Sequence, residues 1–196
     1  MVHASEQNRP DVQAKRKRWV EEIAQIDARR LVFLDESGIN IDMTRRYGRS
    51  KGKQRVVDST PLNTPKTTTL LSSIRLDGST VRTAFQGALN KERFLEYLRD
   101  ILVPRLQKGD IVVMDNLGSH KVTGVAEFIR SAGAELLYLP PYSPDFNPIE
   151  KMWSKLKAYF RKLKFRSVEL LQAAIPEAFS TITASDAHGW FVASGY

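Results

Sequence analysis

The chain has 196 residues, enough for one domain with a full core, and 42% of them are hydrophobic, which excludes a disordered protein. It has no cysteine, so disulfides and thiolate metal sites are excluded, and His3, His120 and His188 are too scattered along the chain to build a zinc site. The net charge of +8 points to a polyanionic partner, nucleic acid first among them; with no membrane-length apolar run and a polar N-terminus, a cytoplasmic location is expected.

In chain order, residues 1–30 read as a basic arm and linker that holds "KRKR" at Lys15–Arg18 and a helix predicted over Val12–Ile26. "RLVFLDESG" is a short apolar run closed by acids and glycine, as in a buried strand that ends near Asp35. Residues 38–66 form a long basic insertion rich in Gly, Ser, Thr and Pro, with Arg45, Arg46, Arg49, Lys51, Lys53 and Arg55 in it. That length suits a functional segment better than a plain loop. "TTTLLSSIRL", then "DG", then "STVRTAFQG" predicts a β-hairpin. "NKERFLEYLRDILVPRL" has helical spacing, "DIVVMDN" is a second buried strand ending at Asp115, and "VTGVAEFIRSAG" is a helix stopped by Gly133. "AELLYLP" makes a fifth strand. A helix from Pro148 to about Lys162 should bury Ile149, Met152, Trp153, Leu156 and Phe160, and a last helix from Ser167 should kink at Pro176.

This order predicts an α/β fold: a mixed sheet of three antiparallel and then two parallel strands, flanked by helices. In such a sheet the chemistry sits at the carboxyl ends of the strands, where Asp35 and Asp115 would lie close together. Bare carboxylates ~4 Å apart repel by about 4 kcal/mol at an effective dielectric near 20. A hard divalent cation turns that repulsion into a binding site. "YLPPYSPDFNPIEKMWSKLK", which follows the fifth strand, packs four prolines into the eleven residues from Tyr138 to Pro148. Asn147, Pro148 and Glu150 match a capping box, in which Glu150 would reach back to the N-cap. The alternative is that the prolines aim the helix so that Glu150 joins the two aspartates as a third carboxylate. A metal-bound Glu150 cannot also cap its helix, so the two roles exclude each other. Asn116 and His120, close after Asp115, could position DNA or water or simply bond within their own turn. Tyr142 is a poor candidate nucleophile, since rigidity of "PPYSP" already accounts for it.

The blocks "LVFLDESG", "DIVVMDNLGSHK" and "LPPYSPDFNPIEKMWSKLK", with 34 residues between Asp115 and Glu150, resemble the mariner-like DDE superfamily of transposases, in its bacterial insertion-sequence branch. The resemblance runs from about Arg9 to the C-terminus. It implies a ribonuclease-H-like catalytic domain over 31–196, with Asp35, Asp115 and Glu150 as catalytic residues and ligands of two Mg²⁺ ions, for which Mn²⁺ can substitute. It implies hydrolysis of double-stranded DNA at transposon ends and transfer of the freed 3′-OH into target DNA, at TA sites in this superfamily, by a nucleoid-associated homodimer formed on DNA. A ribonuclease-H-like nuclease without strand transfer and a non-catalytic nucleic-acid-binding relative are the alternatives. The expected DNA contacts are Arg45, Arg46, Arg49, Lys51, Lys53, His120, Lys121, Lys155, Lys157 and Arg161. The arm before Asp35 is too short for the helix-turn-helix region with which such transposases recognise transposon ends, so a catalytic core without its reader is expected.

Overall fold

The computed structural model describes residues 4–45, 47–52, 54–63, 67–116 and 124–196. Five strands form one sheet in the order β3-β2-β1-β4-β5: β1 Leu31–Ile39, β2 Thr68–Ile74, β3 Thr80–Gln86, β4 Ile111–Met114 and β5 Glu135–Tyr138. β1–β2 and β2–β3 pair antiparallel, and β1–β4 and β4–β5 pair parallel, as the chain order predicts. The β2–β3 hairpin turns through Arg75–Ser79 rather than a two-residue Asp-Gly turn, with Gly78 N–H donating to Arg75 O at 3.0 Å. Gly78 takes φ +86°, and a Cβ there would also meet the Thr183 carbonyl oxygen at 3.1 Å, so only glycine suits this tip.

Side-chain alternation along the strands builds two cores, one on each face of the sheet. Leu31, Phe33, Ile111 and Val113 point to one side, and Val32, Leu34, Val112 and Met114 to the other. The second face is covered by α2 (Lys91–Glu96) and its continuation, and by α3 (Val125–Ser131). The helix predicted from "NKERFLEYLRDILVPRL" is not regular: after Glu96 it widens into a π turn over Tyr97–Leu102 and closes with a 3₁₀ turn over Val103–Arg105. The widened turn keeps Phe94, Tyr97, Leu98 and Leu102 all inside, and Pro104, with no N–H to give, ends the run.

The first face carries α1 (Pro10–Ile23), α4 (Pro148–Leu163), α5 (Val168–Ala173), α6 (Ile175–Ser180) and α7 (Ala184–Val192). α4 buries Ile149, Met152, Trp153, Leu156 and Phe160, the five residues its spacing selects. Pro176 does more than kink the last helix: α5 ends at Ala173 and α6 starts afresh with Pro176 in its first turn. α7, which the sequence reading did not separate, starts from a Thr183–Asp186 capping box and buries Ala187 and Phe191. The basic arm is part of this layer too, since Trp19 and Ile23 of α1 enter the same core as Phe33 and Leu156.

Candidate active site

Strand register brings the first two acids together. The β1–β4 ladder ends at Leu34↔Met114, so Asp35 and Asp115 are the next residues on two adjacent parallel strands, about 5 Å apart across the sheet. The sequence places Asp35 at the end of its strand, but the structure does not. β1 continues to Ile39 in its ladder with β2, and Asp35 stands where β4 stops and β1 goes on. Asp35 shares the parity of Leu31 and Phe33, so its side chain projects onto the α4 side of the sheet.

The segment from Leu139 to Asn147 brings Glu150 to the same place. Leu139 N–H donates to Met114 O at 2.9 Å, which leads the chain past Asp115 before Pro140 and Pro141. Tyr142 takes φ +56°, a strained conformation for a residue with a side chain. A 3₁₀ turn over Pro144–Phe146 then leads into α4. Contacts from both ends of the chain hold this turn. Arg16 donates to Ser143 Oγ (2.7 Å) and to both carboxylate oxygens of Asp145 (3.0 and 2.6 Å), and its guanidinium lies 4.2 Å over the Phe146 ring. Tyr196 Oη donates to Phe146 O at 2.6 Å, and Gln7 Nε2 donates to Tyr142 O at 2.5 Å. The prolines stiffen the path, and these contacts choose its direction.

Asp35, Asp115 and Glu150 line one cleft of about 430 Å³, walled by Asn116, Leu139, Pro140, Pro141, Tyr142, Ser143, Pro144 and Asn147. No capping box forms at α4: Asn147 is the N-cap residue, but its side chain makes no cap hydrogen bond. Its buried Oδ1 has no partner among the described residues. Burial pushes the Asp35 carboxyl up to about 8, helped by the charges of Glu150, Glu36 and Asp115 and opposed by a hydrogen bond from the Glu36 backbone. Glu150, though exposed at the rim, is also raised, first by partial desolvation within the cleft and then by Asp115 and Glu36, against the pull of Lys157 and Lys151. The sequence reading missed Glu36, which adjoins Asp35, and a hydrogen bond from Trp153 Nε1–H to Asp35 Oδ2 at 3.0 Å.

The donor set fits a hard divalent cation: three carboxylates line one cleft, and so does Asn147, whose buried Oδ1 accepts no hydrogen bond among the described residues. Among the described residues, however, no three His, Asp or Glu side chains already stand close enough to hold an ion. Cation binding would have to draw the three carboxylates together.

The expected DNA contacts divide. Arg45, Arg49 and Lys51 are exposed in the segment between β1 and β2. Lys157, on the α4 face of Glu150, and Arg161, one turn on, make no hydrogen bond or ion pair among the described residues. Lys155 is spent inside the fold, donating to Asp186 Oδ2 (2.5 Å) and Thr181 O (2.7 Å). Lys164 and Arg166, from the same basic run, anchor the 38–66 segment by pairing with Asp58 and with the Ile41, Met43 and Ser59 carbonyls. Asn116 is exposed at the rim. Arg46, Lys53, His120 and Lys121 lie outside the described residues. No helix among the described residues is long and apolar enough to cross a membrane.

A sequence profile described as DDE superfamily endonuclease matches residues 30–172. No curated protein sequence matches the chain significantly. The fold resembles that of the Mos1 transposase in its paired-end complex with left transposon end, with a TM-score of 0.81 at 17% identity over 100% of this chain and 62% of that one. It also resembles the Mos1 mariner paired end complex with Mn (TM-score 0.77, 18% identity, 99% and 61% covered) and the catalytic domain of Mos1 mariner transposase (TM-score 0.70, 16% identity, 99% and 91% covered). The mixed sheet with flanking helices is thus a ribonuclease-H-like fold. The chain spans about three-fifths of the length of the Mos1 chains in the DNA complexes.

Proposed function

The chain belongs to the DDE superfamily of endonucleases, and on that premise we propose that it is the catalytic core of a mariner-like DNA transposase of the bacterial insertion-sequence branch. The observation that carries this is the meeting of Asp35, Asp115 and Glu150, from three separate elements, in one cleft at the carboxyl ends of the parallel strands. The proposed reaction is hydrolysis of a phosphodiester at a transposon end, followed by attack of the freed 3′-OH on target DNA, with TA as the target dinucleotide.

Asp35, Asp115 and Glu150 would hold two Mg²⁺ or Mn²⁺ ions, with Asn147 Oδ1 as a further oxygen donor. When bound, such ions supply Lewis acidity to the attacking and leaving oxygens. The chain itself does the rest. β1 carries Asp35, the end of β4 delivers Asp115 beside it, and α4 presents Glu150 opposite them. Asp35, protonated near neutral pH when the cleft is metal-free, must release that proton to become a ligand. The wall of Leu139, Pro140 and Pro141 keeps bulk water from one side of the cleft. Lys157 and Arg161 would take a phosphate beside the scissile one, and Asn116 would orient DNA or water at the rim. Arg45, Arg49 and Lys51 would bridge to a second copy, because moving one element requires two ends cut in one nucleoprotein complex.

The test is a plasmid carrying a transposon end, incubated with the chain in Mg²⁺, in Mn²⁺ and in EDTA. Metal-dependent nicking and joining of free 3′-OH ends to target DNA are expected. Asp35→Asn, Asp115→Asn and Glu150→Gln should each abolish cleavage while DNA binding persists. Nicking without joining would leave a simple ribonuclease-H-like nuclease, and normal cleavage by the Glu150 variant would overturn the triad.

A further inference from the structure

Helical periodicity explains an apolar side chain at position 153, but not the one actually there. Trp153 follows Glu150 by three residues on α4, so the two leave the helix as neighbours. Its ring meets Phe179 edge-on at 6.3 Å, a contact that phenylalanine could also make. What tryptophan adds is one N–H donor and no acceptor. That donor is aimed at Asp35 Oδ2 at 3.0 Å, between residues 2% and 8% exposed. A carboxylate has two oxygens. With Oδ2 held from the α4 side, and the Glu36 backbone also donating to this carboxyl, rotation about the Cβ–Cγ bond is checked at the edge of the cleft that Asp35 lines.

We propose that Trp153 is a positioning residue: its indole N–H fixes the rotation of the Asp35 carboxylate toward the cation, and it ties that orientation to the helix that carries Glu150. The proposal rests on the cleft being the metal-dependent centre argued above. One rigid body, α4, then sets the third carboxylate directly and the first through the indole. A purely packing role would require only the ring. Outer hydrogen-bond partners of metal ligands typically change metal affinity about 10–100-fold when removed.

The test is Mn²⁺ binding to the full chain, read from the electron paramagnetic resonance signal of the free ion, for the native protein, Trp153→Phe and Asp35→Asn. Trp153→Phe should weaken Mn²⁺ binding about 10–100-fold, leave DNA affinity in EDTA unchanged, and recover its cleavage rate at saturating Mn²⁺. Native-like Mn²⁺ affinity in Trp153→Phe, with binding lost in Asp35→Asn, would overturn the positioning role alone. Native-like affinity in both variants would overturn the reading of the cleft itself. A measurement on the unsubstituted ring guards against a misfolded variant. The chain has three tryptophans, and the Trp153 indole resonance can be assigned by elimination with Trp19→Phe and Trp190→Phe. It should shift on Mg²⁺ addition in the native chain and stay fixed in Asp35→Asn; a resonance that ignores Mg²⁺ in the native chain refutes the coupling.

Discussion

Asp35→Asn should stabilise the protein in metal-free buffer, and by more as the pH rises. The folded-state carboxyl titrates at about 8 against 3.8 for an ordinary aspartate, chiefly because it is buried. Between those limits the folded chain holds a proton that the unfolded chain has released. Stability therefore falls as pH rises, by about 1.4 kcal/mol per unit, from the unfolded value until the folded value is passed. From 3.8 to neutrality is about three units, so the native carboxyl costs up to about 4 kcal/mol at pH 7 relative to a neutral isostere. Asparagine never ionises, and its amide oxygen can still accept from Trp153. Glu150 is raised too, but it is present in both proteins and cancels in the difference. The assay is urea unfolding in EDTA, followed by tryptophan fluorescence at several pH values between about 5 and 8. The gap between variant and native chain should widen steadily across that range and shrink when saturating Mg²⁺ is added. A gap that does not change with pH would refute the burial of an uncompensated carboxyl at this position.

Arg16→Ala removes the bonds to Asp145 and Ser143 and the stack on Phe146, and should cost about 1–3 kcal/mol in urea unfolding, with a larger fall in cleavage rate than in DNA affinity because the turn ahead of Glu150 loosens. Lys157→Ala and Arg161→Ala should leave stability alone and each reduce the slope of log affinity against log salt by about 1, measured with any duplex. Lys155→Met should do the reverse, leaving DNA affinity unchanged and lowering stability by about 1 kcal/mol through loss of the Asp186 pair. Deleting Arg45–Arg55 should impair dimer assembly on DNA, measured by light scattering, more than it impairs nicking; equal losses would point to a folding or phosphate-contact role.

Local chemistry was legible from the chain alone. Short apolar runs bounded by acids and glycine marked the buried strands, the spacing of Ile149, Met152, Trp153, Leu156 and Phe160 marked the buried face of α4, and Pro176 marked a kink where the structure has a break. The order of elements sufficed for the mixed sheet: the hairpin-linked β2 and β3 pair antiparallel and the helix-linked β4 and β5 parallel, while β1, joined to β2 by a long segment, lies between the two sets. α7 escaped since Gly189 weakens its helical signal and only Ala187 and Phe191 are buried. Asp35 was placed at a strand end because nothing in "LDESG" reports that β2 pairs further along β1 than β4 does. Whether Asn147 and Glu150 cap a helix or face a cleft depends on contacts from Gln7, Arg16 and Tyr196, up to 138 residues away in the chain. The sorting of Lys155 from Lys157 turned on Asp186, and the pairing of Trp153 with Asp35 spans 118 residues. Sequence patterns encode which surfaces must be buried, since burial acts on each element's own period. Which polar group meets which inside the buried layer follows only from how the layers settle on one another, and that position is set by the packing of the whole core.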